Sequence, residues 1–139
     1  FLKTMLNLAS ESDQIRVIKD QRGCPTYAQD LAKAIIKAIT LINETNLSLG
    51  LYHFSGNEEC SWFDFAEEIL SQFLSLKHLP SIDIIPISSK DYSYKANRPK
   101  NSCLDSSHFK RDFGVDPSNW KKGIKDVLLI IESDYSVEA

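Results

Sequence analysis

The stretch Arg98-Pro99-Lys100-Asn101-Ser102-Cys103-Leu104-Asp105 joins a guanidinium to two small polar side chains and runs into a helix start. Pro99 fixes its own φ and biases Arg98 away from the α region, so Arg98 is expected on extended backbone. A guanidinium held there suits a phosphate or carboxylate, because its planar donors grip an anion two at a time. Asn101 and Ser102 add hydrogen-bonding groups beside it. The same residues also fit a surface turn entering a strand, with Arg98 in a solvated ion pair. A second polar stretch, Asp20-Gln21-Arg22-Gly23-Cys24-Pro25-Thr26, is made a loop by Gly23 and Pro25. Gln21, Arg22 and Thr26 give it polar reach at a strand end, where ligands commonly bind. A plain strand-to-helix connection has the same composition.

Other chemistries find little support. Cys24, Cys60 and Cys103 are far apart in sequence and form no Cys-x-x-Cys pair, which argues against a disulfide framework or a zinc site. His53, His78 and His108 make no metal-ligand spacing, and no metal is expected. Reduced thiols fit the cytoplasm. The sequons at Asn43 and Asn46 then read as accidental. Net charge is −3, yet nine Lys/Arg stand against four acids between Lys90 and Lys125. That excess could draw in a small anion but is too weak to argue for nucleic acid. No apolar run approaches the roughly 20 residues of a membrane span.

The elements that must position these residues follow from periodicity. At 139 residues the chain has a single-domain length. Phe1, Leu2, Met5, Leu6 and Leu8 predict a helix to about Ser10, and a start at Phe1 directly into that helix suggests a piece of a longer protein. Ile15–Ile18 alternates as a strand. A helix from Thr26 or Tyr27 carries Leu31, Ile35, Ala38, Ile39 and Ile42 on one stripe, with an exit loop from Asn43. Leu51–Phe54 reads as a short strand, in which His53 is a packed or edge residue. Ser61 with Asp64 forms a short capping box ahead of Trp62, Phe65, Ile69 and Leu70, aromatics that read as core. Ile82–Pro86 is a strand. Asn101–Leu104 is extended, and Asp105 or Ser106 caps a short helix with Phe109 and Phe113, stopped by Gly114. Asp116-Pro117-Ser118 opens the last helix, with Ser133 to Ala139 a polar tail. The element set is α/β or α+β-like: helices with a few short strands and no large sheet of its own.

Five motifs, in this order, carry a resemblance. They are Phe1-Leu2-Lys3-Thr4-Met5-Leu6; Asp20 to Thr26 with Asp30-Leu31-Ala32; Tyr52-His53-Phe54-Ser55-Gly56; Ser61-Trp62-Phe63-Asp64-Phe65-Ala66; and Arg98 to Asp105. Together they resemble the C-terminal half of the dTDP-4-dehydrorhamnose reductase family, extended short-chain dehydrogenase/reductases, over nearly the whole chain. The resemblance implies a parent that reduces dTDP-4-dehydro-L-rhamnose with NADPH, using a Rossmann domain for the cofactor and this half for the sugar nucleotide. Carried over by position, Gln21, Gly23, Pro25 and Thr26 line the substrate cleft, and Arg98, Pro99 and Asn101 lie near the sugar nucleotide.

The chain lacks the rest of that machinery. Its five glycines make no G-x-G-x-x-G, so no cofactor is expected on this piece. The Tyr-x-x-x-Lys pair of the family is absent as well. Tyr92 has Lys95 three residues on and Tyr94 has Arg98, and both read as accidental. No catalytic residue and no reductase activity are therefore expected here. A related alternative is a non-catalytic regulatory subunit like the β subunit of methionine adenosyltransferase, which shares the Arg-Pro-x-Asn motif; Thr4-Met5-Leu6 and Ser102-x-Leu104-Asp105 favour the reductase. A stand-alone sugar-nucleotide-binding module is a third reading. Without the Rossmann part, the helix from Asp30 and the stretch Tyr52 to Phe54 should bare apolar surface, so a homodimer or rearranged edge is expected.

Overall fold

The computed structural model describes residues 1–45, 47, 50–93 and 98–136 of the chain, and of 134–136 only the backbone. Tyr94, Lys95 and the sequon at Asn46 lie outside the described residues. The elements in order are α1 (Leu2–Glu11), β1 (Gln14–Ile18), β2 (Arg22–Gly23), α2 (Ala28–Glu44), β3 (Cys60–Ser61), α3 (Trp62–Lys77), β4 (Asp83–Ile87), a 3-10 turn (Ser89–Asp91), α4 (Ser107–Phe113) and α5 (Trp120–Ser136).

The main core lies between helices and a parallel strand pair. Met5 of α1, Ile69 and Leu70 of α3, and Trp120, Ile124 and Leu128 of α5 close over Ile15 and Val17 of β1. β1 alternates buried Ile15 and Val17 with exposed Gln14 and Arg16, as a strand with one covered face must. β4 pairs with it in parallel, Ile15 opposite Ile84 and Val17 opposite Pro86. A proline is tolerated there because each strand of a two-stranded sheet has a free edge. The capping box of α3 is formed: the Ser61 hydroxyl accepts from the Asp64 N–H at 3.0 Å, and the Asp64 carboxylate accepts from the Ser61 N–H at 2.8 Å. α3 ends at His78 in the left-handed region, φ 55°.

A second, smaller cluster joins α2 to α4. Ala34 and Ala38 meet Phe109 and Phe113, with Tyr52 and Phe54 packed against them. Here the structure corrects the expected strand at Leu51–Phe54. No strand forms; Tyr52 and Phe54 are drawn to α4 by ring contacts with Phe109 at 6.1 and 5.3 Å, and His53 is exposed. The α2 stripe divides. Ala38 is buried and Ile42 packs against this cluster, whereas Leu31, Ile35 and Ile39 are exposed beside Ile36 at 65%, the bared apolar surface expected of this helix. α2 also runs through Asn43 to Glu44 before the chain leaves it. α5 begins at Trp120, later than expected, since the Asn119 side chain accepts from the Lys122 N–H at 3.1 Å and occupies the capping position. It continues through Ser133 to Ser136, where a polar tail was expected.

Candidate functional site

Arg22 and Gly23 form a two-residue strand with neighbours on both sides. β3 lies antiparallel on one side, with Arg22 opposite Ser61 and Gly23 opposite Cys60. On the other side Asn101 is a parallel partner of Arg22. The Arg22 N–H donates to the Lys100 carbonyl at 2.8 Å, and the Ser102 N–H donates back to the Arg22 carbonyl at 2.9 Å. The Ser102 hydroxyl donates to the same carbonyl at 3.0 Å. The two polar stretches singled out from sequence are therefore joined at the backbone. Gly23 permits the approach, because a Cβ there would lie 3.0 Å from Ser102 Oγ.

The loop that follows is fixed by residues distant in sequence. Gly56 lies so near Pro25 that an added Cβ would sit 2.1 Å from the Pro25 carbonyl oxygen. The turn bearing Gly56 is held in its turn by Ser118: Ser118 N–H donates to Ser55 O at 3.1 Å and Asn57 N–H to Ser118 O at 2.9 Å. Buried Ser118 Oγ also accepts from the Tyr27 N–H at 3.2 Å and donates to Asp30 at 2.9 Å. α2 has no side-chain cap of its own, so this tertiary contact anchors its start.

Gly23, Cys24, Pro25 and Thr26 line a cavity of about 500 Å³ with Ser102 on its rim. That volume lies within the range of small-ligand sites, roughly 300–1,000 Å³. Its floor is mainly aromatic, formed by Phe1, Trp62, Phe65 and Trp120. These rings also pack on one another, Phe1 on Phe65 at 5.3 Å and Phe65 on Trp120 at 5.5 Å. The Tyr27 ring lines the same cavity, while its hydroxyl is shut off from water without a hydrogen-bond partner among the described residues. Burial pushes the Tyr27 phenol above its usual range, with Asp126 and Asp30 adding to the effect, so it stays a neutral donor.

The expected site residues divide between the cavity lining and segments outside it. Gly23, Pro25 and Thr26 line the cavity. Gln21 is buried, 3% exposed, and its carbonyl accepts from the Trp62 N–H at 3.3 Å. Asn101 is held beside Arg22 and accepts from the Cys103 N–H at 2.9 Å. Arg98 and Pro99 are exposed and do not line the cavity, and no described residue pairs with the Arg98 side chain. Three groups carried no sequence signal as site members. Glu59 binds the Arg22 guanidinium at 2.8 Å and accepts from the Cys103 thiol at 3.6 Å. Tyr27 and the convergence of the cysteines depend on pairings that no local pattern announces. Burial pushes the Cys60 thiol up to about 12, and Cys103 rises to about 11 through burial, the Cys24 thiol and Glu59.

A pyrophosphate cradle for a dinucleotide needs several glycines between a strand and a helix. The connection from β1 to α2 has one, Gly23. That connection does not fit the pyrophosphate of NADPH. Among the described residues, no His, Cys, Asp and Glu cluster has the arrangement of a metal site, and no helix is long and apolar enough to cross a membrane.

Comparison with known proteins places this architecture. The family described as RmlD substrate binding domain matches residues 1–132. A dTDP-4-dehydrorhamnose reductase of Aggregatibacter actinomycetemcomitans is 39% identical over 95% of this chain and 46% of its own length. The spore coat polysaccharide biosynthesis protein SpsK of Bacillus subtilis is 34% identical over 92% of this chain and 41% of its own. Among solved structures, a dTDP-4-dehydrorhamnose reductase from Clostridium acetobutylicum superposes with a TM-score of 0.80 at 32% identity, covering 95% of this chain and 44% of that one. The Bacillus anthracis reductase, solved in complex with NADP, gives 0.75 at 33% identity, covering 91% and 41%. The chain thus spans under half the length of these relatives. With the family matched over residues 1–132 and the fold shared with two of its solved relatives, the chain belongs to the RmlD substrate binding domain family.

Proposed function

We propose that this chain is the sugar-nucleotide-binding part of an NADPH-dependent dTDP-4-dehydrorhamnose reductase, which reduces dTDP-4-dehydro-L-rhamnose to dTDP-L-rhamnose. The names of its relatives support the substrate class. The observation that carries the reading is the backbone pairing of Arg22 with Lys100 and Ser102, which sets the loop and the Arg98 segment side by side. Gln21, Gly23, Pro25, Thr26, Arg98, Pro99 and Asn101 are the proposed contact set. The apolar floor takes the base or the deoxysugar. The cations next to the cavity-lining stretches, Arg22, Arg98 and Lys100, take the diphosphate. Arg98 suits that task because its guanidinium is exposed and unpaired among described residues, whereas Arg22 is held by Glu59.

Hydride transfer, and the tyrosine and lysine that accompany it, belong in this reading to residues other than these. The chain alone therefore binds without turning over, and measurable NADPH oxidation by it would contradict the assignment. Titration calorimetry with dTDP tests the binding role. The chain should bind dTDP, and Arg98→Ala should weaken binding at least about tenfold, the loss of one charge-assisted bond worth about 1.5–3 kcal/mol. Absence of heat at millimolar dTDP would remove the proposal. For the isolated chain, the exposed α2 face supports a homodimer, with Ile36 and Ile39 at its centre.

A further inference from the structure

We propose that Cys24 and Cys103 form a dithiol site that closes to an internal disulfide beside the cavity. Arg22 is the parallel partner of Asn101, and Gly23 lies against Ser102. Continued two residues past that isolated bridge, the same offset sets Cys24 opposite Cys103. Neighbouring strands run about 4.8 Å apart, inside the roughly 4.4–6.8 Å between Cα atoms that a disulfide spans. Cys24 and Glu59 are the neighbouring groups that act on the Cys103 thiol. Both residues are partly exposed, so a small oxidant reaches them. Cys60 is the built-in comparison. It pairs with Gly23, one position back, and is buried.

The oxidant is a low-molecular-weight disulfide, RSSR. The thiolate of one cysteine attacks a sulfur of RSSR; that S–S bond breaks and one RS⁻ leaves. The second cysteine attacks the mixed disulfide, the internal S–S bond forms, and the second RS⁻ leaves. The two cysteine protons end on the two leaving thiols, and two electrons pass to RSSR. Glu59 sets the rate. Its carboxylate accepts from the Cys103 thiol at 3.6 Å and disfavours the thiolate. With the thiolate scarce, the first attack is slow. The link would tie the loop after β1 to the segment after Arg98 and limit how far the rim opens. This site does not depend on which ligand the cavity takes.

The test treats the folded chain with glutathione disulfide and follows it by intact mass, thiol titration and peptide mapping. The expected product is a monomer without a retained glutathione adduct, two of its three thiols consumed, and a peptide linking Cys24 to Cys103. Cys24→Ser and Cys103→Ser should each stop at one glutathione adduct, Cys60→Ala should react like the parent, and Glu59→Gln should react several-fold faster. Separate stable adducts on Cys24 and Cys103, a link involving Cys60, a disulfide between two chains, or no reaction unless denaturant is added would each overturn the proposal.

Discussion

Arg22 lies beside Asn101 across a parallel bridge, although 78 residues separate them in the chain. Two peptide hydrogen bonds, to Lys100 and from Ser102, hold this neighbourhood. The site is thus built at the backbone and not only by side chains. It survives many changes of surface residue but not a shift of the loop.

Gly56 is where such a shift is easiest to cause. A methyl group at Gly56 would run into the Pro25 carbonyl, a backbone atom that cannot swing aside. Gly56→Ala should destabilise the chain by about 1–3 kcal/mol, the usual cost of overpacking. It should also weaken dTDP binding, because Pro25 lines the cavity. Urea unfolding and calorimetry on the same preparation check both. A variant with unchanged stability and affinity would show that the loop is not held from this side.

Ser61 provides a comparison on stability alone. Ser61→Ala removes the hydroxyl that accepts from the Asp64 N–H at 3.0 Å, and should cost about 1 kcal/mol in urea unfolding. Asp64→Asn should lose less, since an amide oxygen can still accept from the Ser61 N–H.

Asp20 predicts a pH dependence of definite sign. Hydrogen bonds from the Ser89 hydroxyl and N–H, at 2.8 and 2.7 Å, hold its carboxyl below the ordinary value of 3.8. A carboxylate depressed in the folded state contributes stability that is complete above the unfolded value and disappears as pH falls through the folded one. Asp20→Asn should therefore be less stable than the parent at neutral pH, and the two stabilities should converge on acidification below 3.8. Denaturant unfolding across that range is the check. A constant gap would mean that the charge is not what matters.

The exposed face of α2 makes a prediction about association. Ile36→Glu, at a position 65% exposed, should leave stability unchanged within about 0.5 kcal/mol. It should shift sedimentation of concentrated chain toward the monomer. A parent that sediments as a monomer at every concentration would rule out the homodimer.

Much of the fold could be read where the signal is local. Alternation in β1, the Ser61–Asp64 box and Gly114 in the left-handed region are each set by a few consecutive residues. The misses are where tertiary contacts decide. Leu51–Phe54 has strand composition, but Tyr52 and Phe54 gain more from the rings of α4 than from a strand partner. In α2 the stripe held buried Ala38 but not Ala34, and its larger members Leu31, Ile35 and Ile39 form the exposed side, because close helix packing selected the small residues. For the site, residue types pointed to both polar stretches, whereas their union through two-residue β2 had no sequence pattern to reveal it. Cys24 and Cys103 meet for the same reason.

The central claim is that the loop after β1 and the segment after Arg98 are two sides of one sugar-nucleotide site. Backbone amide shifts of the labelled chain, followed while dTDP is added, test it most directly. The account predicts that Gly23, Cys24 and Thr26 move together with Asn101, Ser102 and Cys103, saturating with a single dissociation constant. Shifts confined to one of the two stretches, or to neither, would contradict it.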